Sequence, residues 1–338
     1  MTPTPLAAPP MPVPGSAEVY TDLRQRVLAG GGRTITLPPG TYMVELDKGG
    51  TGVSLDVPGT VLDLSQGAVV KIAGTEKPGY NIVRIQAPDC VVRGGAVVGD
   101  VEHHVGDTGE WGFGVRVHKG GDRALIDSVT AVGCWGGGIY VDGNPDSVEI
   151  RNCRSFGHRR NGLTISHASR ALVSGGMFGW THTVRSTAPQ AGIDLETHGN
   201  QRIVDALVHD VTVAGCLGHG LLVIGSVDPV GVGVEGLSAS GNDVGVTIGG
   251  SLVTASVKSS RSLQNARYGF QSIAEATTDF DACASSHNGV SGFYLASPAC
   301  VVRNCTSNND GVDPTSALLV DPSAQGQAQV IDSHGTGH

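Results

Sequence analysis

Two carboxylates lie two positions apart in the apolar segment PQAGIDLE, where Leu195 separates Asp194 from Glu196. If this segment is a β-strand, both acids point to the same side, with Cα atoms roughly 6.5–7 Å apart. Inverting glycosidases hold their two carboxyl groups roughly 6.5–9.5 Å apart, which leaves space for a water. The spacing therefore permits acid–base cleavage of a glycosidic bond, although solvated surface charges or an ion pair with Arg160 would explain the same residues.

The elements that must position these acids form an internal repeat. A glycine followed by an apolar–variable–apolar triplet recurs along the chain, and successive glycines are 24, 24, 30, 28, 25, 24 and 23 residues apart. The runs alternate with period two and lack helical periodicity, so they predict short strands. Strands that recur every two dozen residues must stack on one another to bury a face. We therefore predict an all-β fold, a single-stranded parallel β-helix of about 10–12 coils over residues 33–338. The repeated glycines are Gly114, Gly138, Gly162, Gly192, Gly220, Gly245, Gly269 and Gly292.

The first 32 residues differ in composition from the repeat. Residues 1–15 are rich in proline and predict an extended N-terminal arm. Residues 16–32 place Val19, Leu23 and Val27 four positions apart, which predicts a short amphipathic helix. Such a helix would cap the open first coil, since an uncovered β-helix end is prone to aggregate.

Stacking predicts which side chains share a face with the two acids. Equivalent positions in successive coils form ladders with about 4.8 Å between steps. We interpret Asp142 as a third catalytic carboxylate and Tyr140 as substrate-binding. Arg116 and Arg160 are also predicted to bind substrate, because an arginine fork suits a substrate carboxylate. The two ladders are Arg116, Tyr140, Thr164 and Asp194, and beside it His118, Asp142, Ser166 and Glu196.

Aromatic residues and long insertions surround the same coils. Insertions at 99–111 and 179–189 interrupt the repeat, and loops on one side of a rigid scaffold tend to carry function. Trp111 and Trp135 stand at equivalent turns one coil apart, and flat aromatic faces suit the apolar side of a sugar ring. We predict both as substrate-binding. His198 is a further substrate-binding candidate, with a purely structural role as the favoured alternative.

Four segments carry a resemblance to a known group. EWGFGVRV, CWGGGIYV, RRNGLTIS and PQAGIDLE resemble motifs of pectate-lyase-like right-handed parallel β-helix proteins, and more narrowly those of phage tailspikes and of exopolysaccharide-processing proteins. The resemblance covers about residues 30–335. It implies a right-handed helix, a bacterial surface polysaccharide as substrate, a homotrimer, and contact of residues 1–15 with other virion tail proteins. His219, in GHGLLVIGS, resembles a G-H-G element of polygalacturonase-like hydrolases and is therefore a substrate-binding candidate.

Three functions stay open at this point, since one fold can host many reactions. A tailspike-like hydrolase would use the carboxylates as acid and base without a cofactor or metal. A lyase would use the same acids to hold Ca²⁺ and an arginine as base. A non-catalytic virion tail or glycan receptor-binding protein would need no chemistry at all.

Composition narrows the partners and the location. The formal charge is −9 without a basic block, which argues against nucleic acid and against an anionic membrane surface. The seven cysteines form no C-x-x-C pair, so we expect buried free thiols. The N-terminus does not resemble a signal peptide, and we expect cytosolic assembly followed by a virion or extracellular location.

Overall fold

The computed structural model describes most of the 338 residues. The described parts are residues 8–9, 19–20, 22–181, 184–225, 227–311, 317–321 and 328–336. Across these residues the chain is a right-handed parallel β-helix of about 12 turns, as the repeat and the resemblance predicted. Each regular coil contributes one strand to each of three parallel sheets.

Sheet 1 carries the candidate site and contains eleven strands. Its pairing places Arg116 opposite Tyr140, then Thr164, Asp194 and Leu222 in successive coils, which confirms the predicted ladder. Its strands are Thr51–Leu55, Gly79–Ile85, Trp111–Val117, Gly137–Val141, Leu163–Ile165, Ile193–Glu196, His219–Ile224, Val244–Gly249, Tyr268–Ile273, Ser291–Leu295 and Leu318–Val320.

Sheets 2 and 3 complete the coil, and each contains thirteen strands. In sheet 2 one of the thirteen strands, Ala168–Ser169, is not part of the continuous strand order and pairs only with the strand Ile203–His209. The strands of sheet 2 are Thr34–Thr36, Val61–Asp63, Val91–Arg93, Leu125–Asp127, Glu149–Arg151, Ala168–Ser169, Leu172–Ser174, Ile203–His209, Val230–Glu235, Val253–Lys258, Thr277–Asp281, Cys300–Arg303 and Gln329–Ile331. The strands of sheet 3 are Val19–Tyr20, Gly40–Met43, Ala68–Lys71, Ala96–Val98, Thr130–Val132, Arg154–Phe156, Met177–Gly179, Thr212–Ala214, Ser238–Ser240, Arg261–Leu263, Ala284–Ser286, Thr306–Asn308 and His334–Thr336.

The core is a continuous apolar column inside the three sheets. Ile193 and Leu195 are fully buried in it, so the acids between and after them point outward. All seven cysteines are free and buried, as predicted, and several belong to this column. The repeated glycine of sheet 1 has a steric cause: a Cβ on Gly245 would lie 2.0 Å from Ser262 Oγ. That serine belongs to sheet 3 of the following coil and donates to the carbonyl of Gly269, the next repeated glycine.

Buried turn residues between sheets 3 and 1 hold successive coils together. In a series of five such residues, the backbone N–H of each of the first four donates to the side-chain oxygen of the residue one coil further on, at 2.7–3.0 Å. A buried N–H without such an acceptor would destabilise the turn. We call this series the amide ladder, and its members are Cys216, Asn242, Asn265, Asn288 and Asp310.

The N-terminal cap is shorter than predicted. The helix is Leu23–Gly30, and Leu23 and Val27 are buried as expected. Val19 is not helical: Val19–Tyr20 pair in parallel with Thr41–Tyr42, because strand hydrogen bonds satisfy the backbone there. The predicted arm, residues 1–15, lies outside the described residues except for positions 8 and 9. No helix among the described residues has the length and apolarity needed to span a membrane.

Candidate functional site

A cavity of about 460 Å³ opens on the outer face of sheet 1. Strands of four successive coils form its floor, and residues at the end of the 99–111 insertion form part of its wall. It brings together most of the predicted site residues. Its lining is Glu110, Trp111, Phe113, Arg116, Gly137, Tyr140, Asp142, Arg160, Asn161, Thr164, Asp194, His198 and Gln201.

Asp194 is buried although it stands on the outer face of its strand. It is only 1% exposed, because neighbouring side chains of the cavity cover it. Burial raises the pKa of its carboxyl to about 8, and the charge of Glu196 acts in the same direction. Arg160 and Asn161 lower the pKa without restoring the ordinary value. Asp194 is therefore protonated at neutral pH.

Asn161 decides which oxygen of Asp194 carries the proton. Its Oδ1 accepts a hydrogen bond from the backbone N–H of Ala191 at 3.0 Å, so its Nδ2 must face the acid. Nδ2 donates to Asp194 Oδ2 at 2.8 Å. Oδ2 is thus an acceptor, and Asp194 Oδ1 has no hydrogen-bond partner among the described residues. The proton accordingly sits on Oδ1, a buried oxygen without a partner in the described part of the chain.

Glu196 lies beside the cavity on the same strand. Its side chain is 25% exposed, and Oε2 is 3.5 Å from His198 Nε2. His198 lines the cavity, so this part of the coil places two carboxyl groups and an imidazole at one edge. Water can reach Glu196, whereas burial excludes it from Asp194. One strand therefore presents a dry, protonated acid and a hydrated one.

Asp142 lines the cavity, but Arg116 and His118 already contact its carboxyl oxygens. Its Oδ1 accepts from Arg116 Nε at 2.9 Å, and its Oδ2 accepts from Arg116 Nη2 at 2.6 Å. His118 Nδ1 also lies 3.0 Å from Oδ1. This bidentate pair fixes the orientation of Arg116. The geometry favours a positioning role for Asp142 over the predicted role as a catalytic carboxylate.

Arg160 is likewise paired within the wall of the cavity. Its Nη1 donates to Glu110 Oε2, and its buried Nε has no partner among the described residues. Arg160 does not form the ion pair with Asp194 that the sequence left open, because its guanidinium group is paired with Glu110. Sequence reasoning missed Glu110, Phe113 and Asn161 as site residues. All three lie in the segments EWGFGVRV and RRNGLTIS, which carry the family resemblance. The resemblance therefore included these residues, but no pattern assigned them to the site.

The aromatic wall consists of Trp111, Phe113 and Tyr140. Trp111 is 53% exposed at the edge of the cavity, as a sugar-stacking residue should be. Phe113 stacks on Tyr140 with ring centroids 4.3 Å apart, and Arg116 lies over the Tyr140 ring at 5.5 Å. The Tyr140 hydroxyl bonds to Ser166 Oγ at 3.0 Å, and burial raises its pKa. Trp111 and Tyr140 therefore both line the cavity.

Trp135 does not have the exposed face that was predicted for it. It is fully buried, and the His104 ring stacks on it with centroids 3.9 Å apart. Arg159 lies 3.9 Å and Arg185 4.6 Å from the ring centroid. Its indole Nε1 donates to Thr108 O at 3.0 Å. Trp135 cannot stack on a substrate as predicted, because insertion residues cover the ring.

Two arginines join the two insertions over that tryptophan. Arg185 Nη2 donates to His104 O at 3.0 Å, and Arg159 Nη1 donates to Gly109 O at 2.6 Å. Arg159 Nε also donates to Arg185 O at 2.5 Å. We call Arg159, Arg185 and Trp135 the clasp. It holds the 99–111 insertion, whose last two residues form part of the cavity wall.

His219 lies outside the cavity, although it was a substrate-binding candidate. Its Nδ1 is 2.8 Å from Thr247 Oγ1, and it stands at the start of the strand that follows Ile193–Glu196 in sheet 1. Burial lowers the pKa of its imidazole. These contacts describe a structural histidine.

Among the described residues there is no cluster of three or more His, Cys, Asp or Glu side chains arranged to hold a metal. The acids that the lyase interpretation assigns to Ca²⁺ have other surroundings. Asp194 is dry and protonated, and Asp142 is held by Arg116. The donor set therefore does not fit a hard divalent cation, which prefers several ionised or carbonyl oxygens.

Comparison with known proteins begins with sequence. No family model matches the chain. One curated relative, the uncharacterized protein YclG of Bacillus subtilis (strain 168), is 24% identical over an alignment of 208 residues; the match covers 54% of this chain and 35% of the relative. The chain thus spans about a third of that relative's length.

Two solved structures show the fold at low sequence identity. The A-module of mannuronan C-5 epimerase AlgE6 from Azotobacter vinelandii matches with a TM-score of 0.66 and 13% identity, over 93% of each chain. Tailspike gp49 of Acinetobacter baumannii bacteriophage Fri1, described as a capsular polysaccharide depolymerase, matches with a TM-score of 0.54 and 11% identity. That match covers 95% of this chain and 60% of the tailspike. The chain therefore has the right-handed parallel β-helix fold that tailspike and epimerase structures share.

Proposed function

We propose that the protein hydrolyses a glycosidic bond of a bacterial surface polysaccharide, with Asp194 as general acid and Glu196 as general base. The observation that carries the proposal is a buried, protonated carboxyl group whose proton-bearing oxygen has no partner among the described residues. Keeping an acid neutral by burial is a common way to obtain general-acid catalysis at neutral pH. Trp111, which is exposed at the edge of the cavity, provides the apolar face on which a sugar ring stacks.

The proposed step balances within the site. Once substrate binding has moved the side chains that cover Asp194, its Oδ1 gives the proton to the glycosidic oxygen as the bond between that oxygen and the anomeric carbon breaks. A water attacks the anomeric carbon, and Glu196 takes the proton that this water releases. The two Cα atoms are roughly 6.6 Å apart along the strand, and from this spacing the side chains can hold their carboxyl groups at the roughly 6.5–9.5 Å that inverting enzymes use. Asp142 is less suited to be the base, because Arg116 and His118 already occupy its oxygens.

The biological setting belongs to the same proposal. The fold is that of gp49, which is described as a capsular polysaccharide depolymerase, and this supports a tailspike-like protein that acts on bacterial glycans. We extend the proposal to a homotrimer, to attachment of residues 1–15 to other virion tail proteins, and to a virion or extracellular location. Mass measurement of the full chain in solution would test the trimer. Copurification of the chain with virion tail proteins, compared with that of a chain lacking residues 1–15, would test the attachment.

Cleavage assays on capsular polysaccharides from candidate host bacteria test the chemistry. We expect new reducing ends without the ultraviolet-absorbing unsaturated ends that elimination creates. Asp194→Asn and Glu196→Gln should abolish cleavage. Glu235 is an exposed acid on sheet 2, so Glu235→Gln is the matched control and should cleave like the wild type. If unsaturated ends appear, the reaction is elimination by a lyase and not hydrolysis. Binding without cleavage, unchanged in both variants, would establish a glycan receptor-binding protein instead.

A further inference from the structure

The first of the two arginines that line the cavity is neutralised by the protein itself. Both oxygens of Asp142 hold Arg116 in a fork, at 2.9 and 2.6 Å. This bidentate geometry is the one with which arginine otherwise recognises a ligand carboxylate. A substrate carboxylate would therefore have to displace Asp142 before it could use Arg116 in this way.

The second arginine that lines the cavity, Arg160, also offers no free charge. Glu110 Oε2 accepts from Arg160 Nη1, so the positive charge is already balanced. The buried Nε of Arg160 has no acceptor among the described residues. Because this Nε is fully buried, it is not available to a substrate carboxylate either. Arg160 thus belongs to the wall of the cavity and offers no unbalanced charge to a ligand.

The remaining ionisable groups add no net positive charge. Asp194 is protonated at neutral pH and so contributes no charge. Glu196 lies beside the cavity and carries the charge that acts on Asp194. His198, when protonated, is balanced by Glu196 at 3.5 Å. In the lining of the cavity, Arg116 is therefore paired with Asp142 and Arg160 with Glu110. At the edge of the cavity, His198 lies beside Glu196.

We propose that the sugar unit seated beside Asp194 is uncharged, a neutral hexose or N-acetylhexosamine rather than a uronate. This inference rests on the proposed function and specifies its substrate class. A uronate in this cavity would find no unpaired cation, because Asp142 and Glu110 already hold the two arginines, and it would meet the like charge of Glu196 at the edge. A neutral ring instead needs no cation, receives the Asp194 proton and stacks on the exposed face of Trp111. The arginines predicted to bind a substrate carboxylate are accordingly reassigned to the wall of the cavity, Arg116 paired with Asp142 and Arg160 paired with Glu110.

The test uses purified bacterial polysaccharides with and without uronates. Each uronate-containing polymer is also chemically carboxyl-reduced, which converts the acid to a neutral hexose and keeps the linkages. Cleavage by the wild-type chain is measured, the sugar at each new reducing end is identified by mass spectrometry and NMR, and KM is measured at low and high salt. We expect neutral sugars at the new ends and a KM that changes less than about twofold with salt. A uronate at the new end, or cleavage lost on carboxyl reduction, would overturn the inference.

Two further arms separate this inference from the proposed function. If no polymer is bound or cleaved, the proposed function fails together with the inference; if uronate units are released in an Asp194-dependent way, only the inference fails. Glu110→Gln frees the charge of Arg160, so the ratio of kcat/KM for a uronate polymer to that for its reduced form should rise roughly three- to tenfold. A ratio that stays constant would contradict the charge argument.

Discussion

Replacing Asp194 with asparagine should stabilise the folded protein increasingly as the pH rises. The carboxyl has an ordinary pKa of 3.8 and a pKa of about 8 in the fold. Between these values the folded state holds a proton that the unfolded state releases, so the stability of the wild type falls as the pH rises from about 4 to 8. An asparagine side chain at this position does not ionise, and its carbonyl can accept from Asn161. The variant therefore lacks this loss of stability.

The size of the effect follows from the same two pKa values. Each pH unit between them corresponds to about 1.4 kcal/mol. The pH-dependent part of the difference in unfolding free energy is therefore on the order of 1.5 kcal/mol at pH 5 and on the order of 4 kcal/mol at pH 7. Above about pH 8 the difference should level off. Equilibrium urea unfolding at pH 5, 6, 7 and 8 measures it through the shift in midpoint at unchanged slope.

Two control variants make this test specific. Glu196→Gln removes the neighbouring charge and should reproduce part of the stabilisation, because that charge helps to raise the pKa of Asp194. Glu235→Gln, on an exposed part of sheet 2, should leave the pH profile of the wild type unchanged. A difference between Asp194→Asn and wild type that is the same at pH 5 and pH 8 would refute the buried protonated carboxyl, and the general acid with it.

Further predictions concern activity and the scaffold. The kcat of hydrolysis should decline as the pH rises through about 8, because Asp194 loses its proton. In Asn161→Ala the same decline should occur at a higher pH, because the hydrogen bond that is lost lowers the pKa of Asp194 in the wild type. Arg185→Ala should loosen the clasp and raise KM several-fold more than it lowers kcat, whereas Arg185→Lys should restore only part of the loss. Asn265→Ala should cost about 1–3 kcal/mol in urea unfolding, because the N–H of Asn242 loses its acceptor.

The repeat was readable from sequence because its cause is local. Gly245 and its equivalents lack room for a Cβ, and the apolar triplet after each one fills the core, so spacing alone indicated coils and ladders. The pairing of Arg116, Tyr140 and Asp194 followed from that register. The helix start was misjudged because the helical spacing of Val19 from Leu23 does not reveal the strand that Val19 pairs with.

The fine structure of the site could not be predicted in the same way. Trp135 is buried by His104 and Arg185, residues from two insertions whose paths no periodicity specifies. The pairing of Arg160 with Glu110 crosses fifty positions of the chain and depends on the first of these insertions. Whether a cation is free for a ligand or already held by the protein is therefore a property of the loops, and the sequence pattern of the coils does not contain it.

The position of the strand Ile193–Glu196 in the stack has a consequence for how the protein loses its structure. A solenoid in which each coil contacts only its neighbours opens most readily from its two ends. This strand is the sixth of the eleven strands of sheet 1, with five on either side. Fraying must therefore travel through several coil interfaces before it reaches Asp194. Amide hydrogen exchange should be slowest near this strand, and partial thermal damage at the tips should spare hydrolysis until the whole stack melts.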